Sequence, residues 1–123
     1  MRKQYYFRPS AEGLLAWDVD RLIRLSSALV KKRVPLDQIR ELDEEWFGGD
    51  ERATWRGMID HIRLIEAADL SFPIILAANG RVMDGMHRVA KALLAGRSQI
   101  EAVQFERDPE PDSVGKGPDD LPY

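Results

Sequence analysis

The sequence contains no cysteine, and this absence removes several classes of chemistry. No disulfide, thiolate nucleophile or cysteine-based zinc site can form among its 123 residues. No apolar run approaches the length that crosses a membrane, and residues 1–7 lack the apolar segment of a secretory signal. We therefore expect a soluble protein of the cytoplasm.

A surplus of positive charge is also missing. The formal net charge is −3, and residues 108–123 carry five acids against one base, which leaves the remainder close to neutral. Non-specific DNA binding usually needs a basic excess, so by this criterion we do not expect DNA as a partner. The length suits one domain with a core. We predict a domain over residues 1–107 and an acidic tail rich in proline and glycine over residues 108–123.

The most informative segment present is DGMHR, at residues 84–88. Before it, residues 72–78 are typical of a buried strand, Asn79–Gly80 predicts a two-residue type I′ turn, and residues 81–83 predict the return strand. Asp84 is predicted to cap the helix that follows, and Gly96 to end it. The expected buried stripe of this helix consists of Met86, Val89, Ala90, Leu93 and Leu94.

The charge at the start of this helix is unusual. His87 and Arg88 lie in its first turn, where free amides and the helix dipole already form a positive site. A cation there costs up to about 1 kcal/mol, and a bound anion would reverse that effect. One interpretation is a phosphate or carboxylate site, in which Gly85 allows close approach of the backbone. The other is an ordinary helix start with Arg88 paired to Asp84.

The other elements are predicted from caps and periodicity. They are a loop or extended lead-in over residues 1–16, a helix from its cap Asp18 to about Lys32, a strand or a strand with a helical turn over residues 33–39, a helix from its cap Thr54 to about Ala68, and a last strand over about residues 100–105.

An acidic cluster precedes the second helix. Glu44 and Glu45 are candidates for a general base or a metal ligand, and sequence cannot separate Asp43 from them. His61 is interpreted as a structural or surface histidine. It could form a metal pair with His87, but nothing in the spacing demands one. The aromatic residues Trp46, Phe47 and Trp55 are typical of a core, although such rings also stack on bases.

The order of elements over roughly residues 33–106 resembles the core of the ParB/sulfiredoxin-like superfamily. There, a helix, an apolar strand like that at Pro73–Leu76, a hairpin and a DGxHR turn lead into a helix and a final strand. The resemblance implies a single α/β (mixed α+β) domain, with a small mixed sheet flanked by helices. Sulfiredoxins carry a catalytic cysteine at the position of Met86, so their redox chemistry is not expected here. The pattern of this chain also resembles that of a group of short stand-alone bacterial ParB-like proteins.

The superfamily also implies nucleotide chemistry. Its chromosome-partitioning members bind CTP and continue into a helix-turn-helix, for which no recognition helix fits after Phe105. The free-serine kinases, which are similar at the DGxHR motif, use ADP or ATP. That likeness implies that Gly85, His87 and Arg88, with Met86 in the same turn, hold phosphates. It also implies that an acidic residue of the earlier segment, with Glu44 as the first candidate, deprotonates a hydroxyl. Asp84 either ligates Mg²⁺ or only caps the helix.

We therefore hypothesise a nucleotide- or phosphate-binding protein related to free-serine kinases. ATP, ADP or CTP with Mg²⁺ would be its cofactors, and a small hydroxyl compound its substrate if it is a phosphotransferase. The alternative is a non-enzymatic ParB-like interaction or DNA-partition-associated module. Such a module would form a homodimer through its first helix or its tail.

Overall fold

Strands and helices are mixed along residues 3–45 and 54–123, the parts of the chain described by this computed structural model. This confirms the predicted mixed α+β class. The elements in chain order are β1 (Tyr5–Ser10), β2 (Gly13–Asp18), α1 (Val19–Ser26), β3 (Lys32–Pro35), α2 (Trp55–Ala67), β4 (Ile74–Leu76), β5 (Val82–Asp84), α3 (Met86–Leu94), β6 (Gln99–Gln104) and β7 (Ser113–Val114).

These strands form two sheets. The larger sheet has the order β3-β6-β4-β5 and is mixed, because β4 runs parallel to β6 while the other two pairs are antiparallel. The smaller sheet has the order β1-β2-β7 and is antiparallel. The larger sheet places the start of α3 directly after its edge strand β5.

The core lies on both faces of the larger sheet, as expected from the two-residue period of strands. Ile74 and Leu76 point to one face, where they pack with Val89 of α3. Ile75 points to the other face, where it packs with Trp17 of β2 and other buried residues. The sheet is therefore covered by α3 on one side and by α1 with β2 on the other.

The first sixteen residues differ from the predicted lead-in. Residues 5–18 form the β1–β2 hairpin, which pairs in register from Tyr5 opposite Asp18 to Ser10 opposite Gly13. The tail extends this sheet, because β7 pairs with β2 and the Asp112 amide donates to the Ala16 carbonyl at 2.8 Å. The mixed sequence pattern of the hairpin reflects its partial exposure on both faces.

The predicted type I′ turn at Asn79–Gly80 is wrong. No non-glycine residue in the described chain has a positive φ, whereas type I′ would require one at Asn79. The Gly80 amide instead donates to the Ala77 carbonyl at 2.9 Å, and the Ala77 amide donates to the Arg81 carbonyl at 2.8 Å. The connection is therefore a three-residue loop in which Gly80, at φ 86°, supplies the left-handed position.

Two of the three predicted helix caps are confirmed. The Asp18 carboxylate accepts from the Asp20 amide at 2.9 Å, and the Thr54 hydroxyl accepts from the Gly57 amide at 3.0 Å. The helix begun at Asp18 ends at Ser26 rather than Lys32, because Lys32 enters β3 and pairs with Ala102.

The C-terminal end of α3 is as predicted, but its buried face is rotated. Gly96 has φ 76°, and the Arg97 amide reaches back to the Ala92 carbonyl at 3.0 Å, which closes a Schellman motif. Val89 and Ala92 are the buried residues of the helix. Leu94 is 79% exposed, because it lies almost opposite that pair around the helix.

Helix α2 packs against α3 and buries none of its own residues. The segment before it forms two short 3₁₀ turns, Leu36–Gln38 and Arg40–Asp43, so the strand with a helical turn is the correct alternative there. In the described parts of the chain, no helix combines the length and the apolar character needed to cross a bilayer.

Candidate functional site

The turn into α3 is built around Gly85. Its φ is 115°, in the region that favours glycine, and it occupies the cap position of the helix. A Cβ there would lie 2.6 Å from Ile74 Cγ2 and 2.8 Å from Arg88 Nη2. Both the turn and its packing therefore require glycine.

The prediction that Asp84 caps α3 is wrong. Gly85 takes the cap position and no side chain caps the helix, since Asp84 lies one residue too early. The Asp84 carboxylate instead accepts from Arg88 Nη2 at 2.9 Å, with about a fifth of each side chain exposed. The ion pair considered from the sequence is thus present, and it compensates the arginine charge in the first turn.

A cavity of about 520 Å³ lies between α2 and α3, and we call it the interhelix cavity. It brings together three residues predicted for the site, Glu44, Met86 and His87. Its volume is in the range of small-molecule sites. Its lining consists of Glu41, Glu44, Glu45, Met58, His61, Ile62, Ile65, Met86, His87 and Ala90.

The two histidines of the chain meet in this cavity. His61 Nδ1 lies 3.3 Å from His87 Nε2, and the ring centroids are 5.5 Å apart. Burial lowers the pKa of His87, the charge of His61 lowers it further, and the Asp84 carboxylate opposes both effects. His87 is therefore favoured in its neutral form, in which one ring nitrogen donates and the other accepts.

The predicted base Glu44 is held by an arginine. Arg81 Nη1 and Nη2 donate to its two carboxylate oxygens at 2.6 and 2.8 Å. These hydrogen bonds lower the pKa of Glu44. A carboxylate in such a bidentate pair is a weak proton acceptor, because abstraction of a proton would break the pair.

Glu41 is a more buried member of the acidic cluster. Its Oε2 accepts from the Val82 amide at 2.6 Å, which fixes the cluster to the edge strand β5. Its Oε1 is buried and has no hydrogen-bond partner among the residues that the structure describes. The side chain lines the interhelix cavity beside Glu44 and Glu45.

A second cavity, of about 490 Å³, lies at the start of α3, and we call it the turn cavity. Met86 and His87 line both this cavity and the interhelix cavity. The Tyr123 ring packs edge-on against Tyr5 at 5.3 Å on its border. The lining consists of Lys3, Gln4, Tyr5, Tyr6, Phe7, Val19, Val82, Met83, Asp84, Gly85, Met86, His87 and Tyr123.

Arg88 points to neither of these cavities. Together with Asp84 it lines a third cavity, of about 230 Å³, which also borders Ser26 and Lys31. The five residues of the DGMHR segment are thus divided between two sides of the turn. Gly85, Met86 and His87 lie together at the turn cavity, whereas Arg88 lies on the α1 side.

Sequence reasoning missed the contact of Arg81 with Glu44, and it left a pairing of His61 with His87 open without predicting it. Nothing in the spacing relates Arg81 to Glu44, because their contact depends on how the 3₁₀ turns approach the sheet edge. The meeting of His61 and His87 depends on the packing of α2 on α3. The only sequence signal was that both histidines lie on predicted helices with apolar neighbours.

Metal ligation by three or more side chains finds no support within residues 3–45 and 54–123. No group of three His, Asp or Glu side chains suited to hold an ion occurs in these ranges.

The aromatic residues Trp46 and Phe47 lie outside the described residues. Trp55, at the start of α2, is 81% exposed and so does not belong to the core.

Comparison of the chain with protein-family models, curated proteins and solved structures finds no match. The ParB/sulfiredoxin-like resemblance therefore remains a hypothesis based on the DGMHR segment and the order of elements around it.

Proposed function

We propose that this protein binds a phosphate-bearing small molecule of the nucleotide class at the start of α3. The observation that carries the proposal is that Met86 and His87, at the start of α3, line both the turn cavity and the interhelix cavity. One ligand can thus place a charged group and an apolar group on either side of a single helix start.

The turn cavity supplies features that favour a phosphate. The first amides of α3 have no carbonyl partner within the helix, and no side chain caps them. A helix start of this kind attracts anions through its amides and its dipole. The His87 ring adds a donor at the same place, and Gly85 keeps the approach free of a side chain.

The interhelix cavity suits the remaining part of a nucleotide. Met58, Ile62 and Ile65 offer an apolar wall, and Glu41 and Glu45 lie at its polar side. A nucleobase has flat apolar faces and hydrogen-bonding edges, so it fits a wall of this composition. The likeness of the DGMHR segment to nucleotide-binding members of the ParB/sulfiredoxin-like superfamily supports ATP, ADP or CTP as the first ligands to test, with and without Mg²⁺.

Phosphoryl transfer to a small hydroxyl compound is a narrower version of the same proposal. It requires a proton acceptor near the phosphate, and charge neutralisation by a metal ion or cations. Glu44 meets this need only if its pair with Arg81 opens when the substrate binds. Turnover that survives Glu44→Gln and is lost in Glu45→Gln would assign the base to Glu45 instead.

A thermal-shift screen tests the binding proposal, because a ligand of the folded state must raise the melting temperature. We expect stabilisation by at least one nucleotide and by inorganic pyrophosphate. His87→Gln should weaken binding by about tenfold, the effect of losing one favourable polar contact. Arg97→Ala is the matched control, since it removes a cation at the opposite end of α3. Equal weakening by both variants would refute a site at the start of the helix.

Self-association is the second candidate function, and the exposed apolar face of α2 favours it. Trp55 is 81% exposed, and Ile59, one turn further along the same face, is 46% exposed. A homodimer that buries this face would be an interaction module whose interface differs from the first helix or tail considered from the sequence. Sedimentation equilibrium should then show a dimer that Ile59→Lys dissociates, whereas a wild-type monomer at high concentration would exclude this function.

A further inference from the structure

We propose that His61 and His87 bind a divalent transition-metal ion of the zinc class between their facing ring nitrogens, with the remaining coordination positions open to water or a ligand oxygen. The proposal does not depend on the proposed function, because the ion would bind without any phosphate.

The separation of the two nitrogens carries this inference. His61 Nδ1 and His87 Nε2 are 3.3 Å apart. Two imidazole nitrogens bound to one tetrahedral Zn²⁺, with Zn–N bonds of about 2.0–2.1 Å, lie ~3.3–3.4 Å from each other. The pair therefore already has the spacing of two ligands of one ion, and coordination requires a rotation of the rings rather than a movement of the helices.

The placement of the histidines is also specific. The chain has only two histidines, 26 residues apart, and the packing of α2 on α3 brings them together. Each projects from a helix, so the backbone positions of both ligands are fixed in advance. Imidazole nitrogen favours Zn²⁺, Ni²⁺ and Cu²⁺ over Mg²⁺, which identifies the class of ion.

Metal binding at this pair requires a change of tautomer in one ring. In the metal-free pair one ring donates a hydrogen to the other. When the ion binds, the donating imidazole moves this hydrogen to its other nitrogen, so both facing nitrogens present lone pairs and no proton is lost. The acidic side chains Glu41, Glu44 and Glu45 line the same cavity and favour a cation there, although Arg81 already neutralises Glu44.

The site would hold its ion by two protein ligands. No described group of three His, Asp or Glu side chains is suited to the task, so the coordination sphere stays partly open. Open positions are typical of zinc sites that exchange ligands rather than of structural zinc sites. The expected affinity is therefore moderate, and the ion should be removable by chelators.

Calorimetry on the chelator-treated full chain tests the proposal with ZnCl₂ alone. We expect one Zn²⁺ per chain, and binding that is weaker by at least about tenfold in His61→Ala and in His87→Ala. Asp60→Ala is the control, because it removes an exposed acid beside His61 and should bind as the wild type does. Equal affinity in the wild type and both histidine variants would overturn the proposal, as would no saturable binding by the wild type below about 1 mM Zn²⁺.

Proton NMR of the wild-type imidazoles keeps the test independent of how the variants fold. Both histidine rings should shift together as Zn²⁺ is added, with the same midpoint. A shift of one ring alone, or of neither, would overturn the proposal. Because no nucleotide is present, failure of the phosphate site would leave these results unchanged.

Discussion

Replacing Gly85 with alanine perturbs the turn between β5 and α3, where the proposed site lies. The backbone there has φ 115°, and an added Cβ would lie 2.6 Å from Cγ2 of Ile74, a fully buried side chain. A strained backbone of this kind costs an L residue about 1–3 kcal/mol. Forcing a methyl group into packed surroundings costs about 1–3 kcal/mol more. We therefore expect Gly85→Ala to lose about 2–6 kcal/mol of unfolding free energy.

Gly80→Ala is the matched control for this measurement. Gly80 also has a positive φ, of 86°, but no atom lies within 4 Å of its added Cβ. It carries the backbone cost without the crowding, so Gly85→Ala should exceed it by about 1–3 kcal/mol in urea denaturation. Equal losses in the two variants would refute the reasoning that Ile74 and Arg88 fill the space beside Gly85.

Three further predictions concern the helices and the titratable pairs. Thr54→Ala removes the cap of α2 and should cost about 1 kcal/mol of unfolding free energy, whereas no loss by urea denaturation would contradict the cap. Glu44 should titrate below its ordinary range by carboxyl NMR, and Arg81→Met should return its pKa toward the ordinary value; an unchanged pKa would show that the pair does not persist in solution. His87 should titrate below its ordinary pKa of 6.5, and His61→Ala should raise that pKa only part of the way, because burial remains as the larger cause. The pKa of His87 in the folded state lies below its value in the unfolded chain. The stability that neutral His87 contributes is therefore complete above about pH 6.5 and is lost as the pH falls through the folded-state pKa. Urea denaturation at several pH values will detect this loss. A His87 pKa above 6.5 in the wild type would contradict this sign.

Local signals in the sequence predicted where the strands of the larger sheet and its helices lie, but not the turn at Asn79–Gly80, the cap of α3 or the end of α1. The strand at Ile74–Leu76, the caps Asp18 and Thr54, and the helix end at Gly96 all depend on residues close together in the chain. Such features follow from periodicity and capping chemistry. The β1–β2 hairpin was missed because its residues lack a clean alternation of buried and exposed positions.

The candidate site was predictable only in part. The sequence indicated the unusual charge at the start of α3, and it also offered the Asp84–Arg88 ion pair that the structure contains. It did not indicate that Gly85 would take the cap position from Asp84, because that depends on a single φ angle. The contacts of Glu44 with Arg81 and of His61 with His87 join distant segments, so no local pattern encodes them.

Amide mapping by NMR tests the central claim most directly. In a titration of the full chain with the nucleotide that stabilises it most, we predict the largest shifts at the backbone amides of Met86, His87 and Arg88, where α3 begins. The side chains of Ile62 and Ile65 in the interhelix cavity should shift with the same midpoint. Shifts confined to the opposite end of α3 near Arg97, or no saturable shifts with any nucleotide, would contradict the account.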